Sequence, residues 1–188
     1  MTVSEIFTHL TSHMVEGMMY HEQMANYYDF LNLKGYKRCH EYHYLMETLN
    51  HRKIQRYYIN HYQKLIEDGE IRNPNGIPSN WYRHVRQDVD GTTKKNSVKA
   101  GIESWVSWEK HTKDLYSELY IELVNLGEIS SASELECLIC DVDEELKHAS
   151  RKHLDLMSVD YNISDIILEQ NRIHDKYKTK IHDFRLNF

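Results

Sequence analysis

The stretch GEIRNPNGIPSNWYRHVRQDVDGTTKKN, residues 69–96, decides how the rest of the chain is arranged. It holds both prolines of a 188-residue sequence that has only 7 glycines, and it is far too long for a hairpin turn. It carries a short helix-like piece of its own around Trp81 to Val89. On each side lies a pair of long helical patterns. Before it, helix A runs over Ser4–Asn32 and helix B over Lys34–Asp68, parted by LNLKG; after it, helix C runs over Ser97–Leu126 and helix D over Ser130–Val159, parted by LGEISS. Turns this short make A and B, and likewise C and D, antiparallel neighbours. A helix of about 30 residues is about 45 Å long, and a connection like 69–96 climbs that distance and brings C in parallel to B. The pattern predicts an all-α four-helix bundle over residues 1–159 with one long B–C crossover. Beyond it, Ile163, Ile166, Ile167, Ile173, Tyr177, Ile181 and Phe184 recur near helical spacing. Residues 160–188 therefore predict an extra amphipathic C-terminal helix, packed on the bundle or on a neighbouring subunit.

The apolar fraction of 40% and charged fraction of 28% are those of a soluble globular chain rather than a disordered one. The net charge of -6 and the lack of a Lys/Arg run at either end argue against nucleic acid or an anionic membrane as partner. The start, MTVSEIFTHLTSH, has no basic segment leading into an apolar one, and no long uninterrupted apolar run follows, so a cytoplasmic protein is expected. Cys39, Cys137 and Cys140 cannot form a closed disulfide framework and are expected to be buried thiols. The 13 His and 14 Tyr are the counts that call for an explanation.

Part of that explanation comes from where the polar side chains point. On helix C the apolar stripe is Val98, Ile102, Trp105, Val106, Tyr116, Tyr120 and Leu123, and Glu109 falls in its centre. A carboxylate facing a core costs several kcal/mol unless it is paired or coordinated, which makes Glu109 a candidate ligand. On helix B, Glu47 lies mid-face with His51 four residues on, a spacing that can hold one ion through oxygen and nitrogen. Helix D offers Glu145 near the centre of its inward face and His148 on its rim, a Glu-x-x-His pair. Helix A offers His21 as the polar residue nearest the middle of its apolar face, followed by Glu22 and Glu16. Glu47, Glu109 and Glu145 sit at comparable distances from their turns, hence at one depth. His40, His43 and His61 are read as structural histidines.

These features resemble the ferritin-like superfamily, the di-iron carboxylate four-helix bundles that include ferritin, rubrerythrin and the mini-ferritins. In WEKHTKDLY, Glu109 with Tyr116 looks like that superfamily's third-helix Glu and its Tyr; DEELKHA looks like its fourth-helix Glu-x-x-His; Glu47 matches its second-helix Glu. Where that second-helix motif wants His, this sequence has Asn50, with His51 one place later. The resemblance implies two metal ions per subunit, iron with manganese as the alternative, held by Glu47, His51, Glu109, Glu145, His148 and a helix A residue among His21, Glu22 and Glu16. It implies a ferroxidase or oxidase activity on O2 or peroxide, iron oxidation or storage, and a homo-oligomer. The alternative is a metal-free helical bundle acting as a binding or assembly module.

Overall fold

The computed structural model describes residues 1–67, 69 and 89–186. Five helices account for nearly all of them: α1 Val3–Phe30, α2 Lys34–Tyr62, α3 Gly91–Asn125, α4 Ile129–Ser158 and α5 Ile163–Leu186. α1 starts at a capping box, in which Thr2 Oγ1 accepts from Glu5 N at 3.3 Å and Glu5 Oε2 accepts from Thr2 N at 2.7 Å. α3 starts six residues before Ser97. Asp90 caps it, accepting from the backbone N–H of Thr93 at 2.9 Å and from its hydroxyl at 2.7 Å, so GTTKKN belongs to the helix. α2 stops at Tyr62, short of Asp68, because Gln63 takes the left-handed conformation (φ 55°). The α3/α4 turn closes through Gly127 at φ 78°, a conformation that costs glycine nothing. Both prolines and the helix-like piece from Trp81 lie outside the described residues; Val89 is not helical.

The core has two parts. One contains Ile6, Leu10 and Met14 of α1, Ile54 and Tyr58 of α2, Tyr116 and Leu123 of α3, and Leu135 and Val142 of α4. The other contains Tyr20, Met24 and Tyr28 of α1, Tyr36 and Cys39 of α2, Val98 and Ile102 of α3, and Ala149 and Leu156 of α4. The start of α1 thus meets the end of α2, the end of α3 and the start of α4. It follows that α1/α2 and α3/α4 are antiparallel hairpins and that α2 and α3 run parallel, the arrangement that needs one long crossover.

α5 packs on α2 and α3 and puts Ile166, Ile173 and Tyr177 into the second core cluster. It is pinned where Gln170 crosses Gly35: the Gly35 N–H donates to Gln170 Oε1 at 3.1 Å, and a Cβ on Gly35 would stand 1.8 Å from the Gln170 backbone oxygen. A Lys152–Glu169 ion pair ties α5 to the end of α4. Of the three cysteines only Cys39 is buried. Cys137 and Cys140 are exposed, because the i, i+3 pair lies on the outer side of α4 rather than on the face of Leu135, Leu138 and Val142. Among the described residues no helix is long and apolar enough to cross a membrane.

Candidate metal centre

Between the two apolar clusters the four bundle helices turn polar groups inward. α1 supplies His21, fully buried. α2 supplies His40 and His43, also buried, and one turn further along Glu47. α3 supplies Glu109, buried, and α4 supplies Glu145 and His148, both partly buried. His21, Glu109 and Glu145 each offer one ligand atom, all within 4.8 Å of one another. His21 Nε2 stands 3.7 Å from Glu109 Oε1, and His43 Nδ1 stands 3.1 Å from Glu145 Oε1 in an alignment that makes a contact of charge more than a directed hydrogen bond. His21 and His40 meet through their Nδ1 atoms at 3.0 Å. Trp105 is wedged among His40, His43 and His148, ring centroids 5.1, 5.4 and 5.6 Å away, and its indole N–H donates to Glu109 Oε1 at 2.8 Å. Gly17 leaves room for Glu47, whose carboxyl would stand 3.2 Å from any Cβ placed there.

No protein-family profile matches the chain, and neither does any curated protein sequence. Solved structures do. A humanized archaeal ferritin superposes with a TM-score of 0.74 at 13% identity, covering 91% of this chain and 94% of its own. A closed form of the Archaeoglobus fulgidus ferritin, engineered by site-directed mutagenesis, superposes with a TM-score of 0.74 at 14% identity, covering 93% of this chain and 96% of its own. This chain has the ferritin-like fold. At such identities the likeness is one of helix order and packing, and the chemistry of this ferritin-like interior has to be read from its own side chains.

Those side chains balance their charges internally. Burial, and then the proximity of Glu145, pushes Glu47 up to about 8; burial, Glu145 and Glu47 push Glu109 well above the usual carboxylate range. Burial and neighbouring imidazoles push His21 and His40 well down, so both are neutral. Burial, the largest influence, lowers His43 too, but Glu145 and Cys39 together outweigh it and hold His43 well above the usual imidazole range. His148 is lowered to about 3 by burial and then by Lys152 and Lys176. In the neutral His21–His40 pair only one Nδ1 carries a proton, so the ring that donates there presents a bare Nε2. The Nε2 atoms of His21 and His40 and both ring nitrogens of His43 are buried without a hydrogen-bond partner. Orphaned imidazole nitrogens beside carboxylates are the donor set that a transition-metal ion takes up.

The structure brings His21, Glu109, Glu145 and His148 to this interior, with Glu47 at its edge. It does not bring Glu22, which is exposed because it follows His21 by about 100° around α1. Glu16 sits in a separate groove, 3.6 Å from His13 Nδ1. His51 is half-buried one turn beyond Glu47, outside the group of His21, Glu109 and Glu145. Among the residues read as structural, His61 is exposed as that reading allows, whereas His40 and His43 stand at the centre. A signal for them was present: His40-x-x-His43 on α2 has the same i, i+3 spacing as Glu145-x-x-His148 on α4.

Proposed function

We propose that this ferritin-like chain is a dimetal protein that oxidises iron, its ions lying between His21, His40, His43, Glu109, Glu145 and His148 with Glu47 as a further carboxylate. The reading is carried by the His21–Glu109–Glu145 group, the first two buried and Glu145 partly so, whose carboxylates meet imidazoles and an indole; among the described residues no Lys or Arg is paired with them. It is supported by the occurrence of one Glu-x-x-His pair and one His-x-x-His pair on alternate helices, the placement ferritin-like bundles use for their ligands. A set this rich in imidazole suits Fe(II) better than Mn(II). Two Fe(II) ions held there as substrate would supply one electron each and become Fe(III), and O2 would take up those two electrons and two protons from solvent to leave as hydrogen peroxide.

The chain's own groups have separate tasks. The Trp105 N–H fixes one oxygen of Glu109 and so aims the other; the His21–His40 contact sets a tautomer; Glu47, Glu109 and His43 carry protons that a cation would displace. Loading should therefore release protons at pH 7, and the affinity for Fe(II) should rise between pH 6 and pH 8 as Glu47, at about 8, gives up its proton more readily. Calorimetry in two buffers of different ionisation enthalpy measures the release, and a pH-independent affinity would count against the assignment.

The deciding experiment is metal analysis of untagged protein after anaerobic Fe(II) loading. Wild type and His61→Ala should retain iron, and His43→Ala should lose most of it. Near-zero metal in all three would favour the second reading, a metal-free bundle serving as a binding or assembly module, in which the His43–Glu145 contact is simply internal neutralisation. Storage would further require many copies around a hollow interior, and light scattering separates such a shell from a dimer. The exposed free thiols Cys137 and Cys140 fit a reducing, cytoplasmic setting.

A further inference from the structure

A cleft of about 500 Å³ opens between α2, α4 and α5, and His43, Glu145 and His148 form part of its lining. It connects the outside to the candidate centre and lies within the size range of small-molecule pockets. Its α5 wall is cationic and aromatic. Lys180 Nζ lies 4.8 Å from the Tyr42 ring centroid and 5.4 Å from that of Tyr177, Lys176 Nζ lies 5.2 Å from the Tyr177 centroid, and the two rings are 5.4 Å apart. Met46 adds an adaptable apolar surface from α2.

The α4 wall is mixed. Lys147 is already paired with Asp143 at 2.7 Å and with Glu144 at 2.9 Å, and Glu145 faces His43 at 3.1 Å, which leaves Asp141 as the unpaired acid and Arg151 as the unpaired base of that side. Among the described residues none of Arg151, Lys176 and Lys180 is within ion-pair distance of a carboxylate, so three cations of the cleft face one free acid on its rim. Unpaired cations beside the partly exposed Tyr42 ring, the edge of the buried Tyr177 and a thioether form a surface that complements a molecule with one anionic end and an apolar body.

We propose that this cleft binds a small organic carboxylate, its anionic end on Lys176 and Lys180 and its body against Tyr42, Tyr177 and Met46, within reach of the metal centre. The site is built by α5 together with α2 and α4. It deepens the metal reading by naming the class of molecule presented to the centre, yet the binding itself uses no metal ligand as an anchor.

The test is calorimetric titration of the full chain with benzoate, benzyl alcohol and inorganic phosphate. Benzoate should bind, and benzyl alcohol should bind at least about tenfold more weakly because it lacks the charge. The Lys176→Gln/Lys180→Gln double variant should lose about tenfold or more in benzoate affinity with its melting temperature and iron content unchanged, both lysines being exposed. Absence of benzoate binding, equal binding by the double variant, or phosphate binding as tight as benzoate would each overturn the assignment. Glu109→Gln separates the two readings. If it loses metal and keeps benzoate, both stand; benzoate binding that depends on the lysines in a protein that never takes up metal upholds the cleft and removes the metal reading; metal without benzoate does the reverse.

Discussion

Glu109→Gln is expected to empty the centre of metal and, in metal-free buffer at pH 8, to raise the melting temperature of the protein. The first effect follows from losing a buried carboxyl group that a bound cation would deprotonate and take as a ligand. Altering groups that merely orient ligands weakens metal binding about 10–100-fold, so removing the ligand itself should cost at least about 100-fold. The second effect has the opposite sign. Burial and the nearby carboxylates raise Glu109 well above its ordinary value of 4.5. A group raised on folding stabilises the native state below its unfolded value, and that stability is lost as pH climbs through the folded value. Gln keeps an acceptor for the Trp105 N–H and has no proton to lose. The melting-temperature difference between variant and wild type should therefore widen from pH 5 to pH 8, and calorimetry that finds it flat would contradict the buried-carboxyl account.

Gly35→Ala is expected to be the most damaging alanine substitution among the described glycines. The new Cβ would meet the carbonyl oxygen of Gln170 at 1.8 Å, with Gln170 C at 2.7 Å and Cα at 3.0 Å. These are backbone atoms, so no side-chain rotation relieves the clash, and α5 as a whole has to move. Overpacking of this kind costs about 3 kcal/mol, or about 6–12 °C in a chain of this size. Because Lys176, Tyr177 and Lys180 ride on α5, the variant should lose benzoate binding while retaining iron on α1–α4. Thermal denaturation, trypsin cleavage around residue 176 and metal analysis read the three consequences; an unchanged melting temperature would show that α5 is not clamped at this crossing.

The fold was readable because its determinants are local and periodic: two short turns, a long interruption between them, and apolar stripes at helical spacing. The start of α3 was not, since GTTKKN looks like loop until Asp90 is seen to accept from Thr93. The acids of the centre were legible because a carboxylate at Glu109 or Glu145 conflicts with its apolar neighbours. Histidines give no such conflict. An imidazole packs in a core as readily as it binds metal, so His40 and His43 looked ordinary until the structure set them against His21 and Glu145. Glu22, ranked behind His21 because an ideal helix turns it off the apolar face, is exposed about 100° around α1 from His21.

The division of the apolar core into two clusters bears on how cargo is handled. Each end of the bundle closes its own hydrophobic collar, and α1 to α4 are gripped above and below the polar belt. Small zinc modules fold only when loaded, because coordination supplies their folding free energy. If ions bind in this belt as proposed, the scaffold should outlast their removal, so chelation should yield an intact vessel that accepts ions again without refolding.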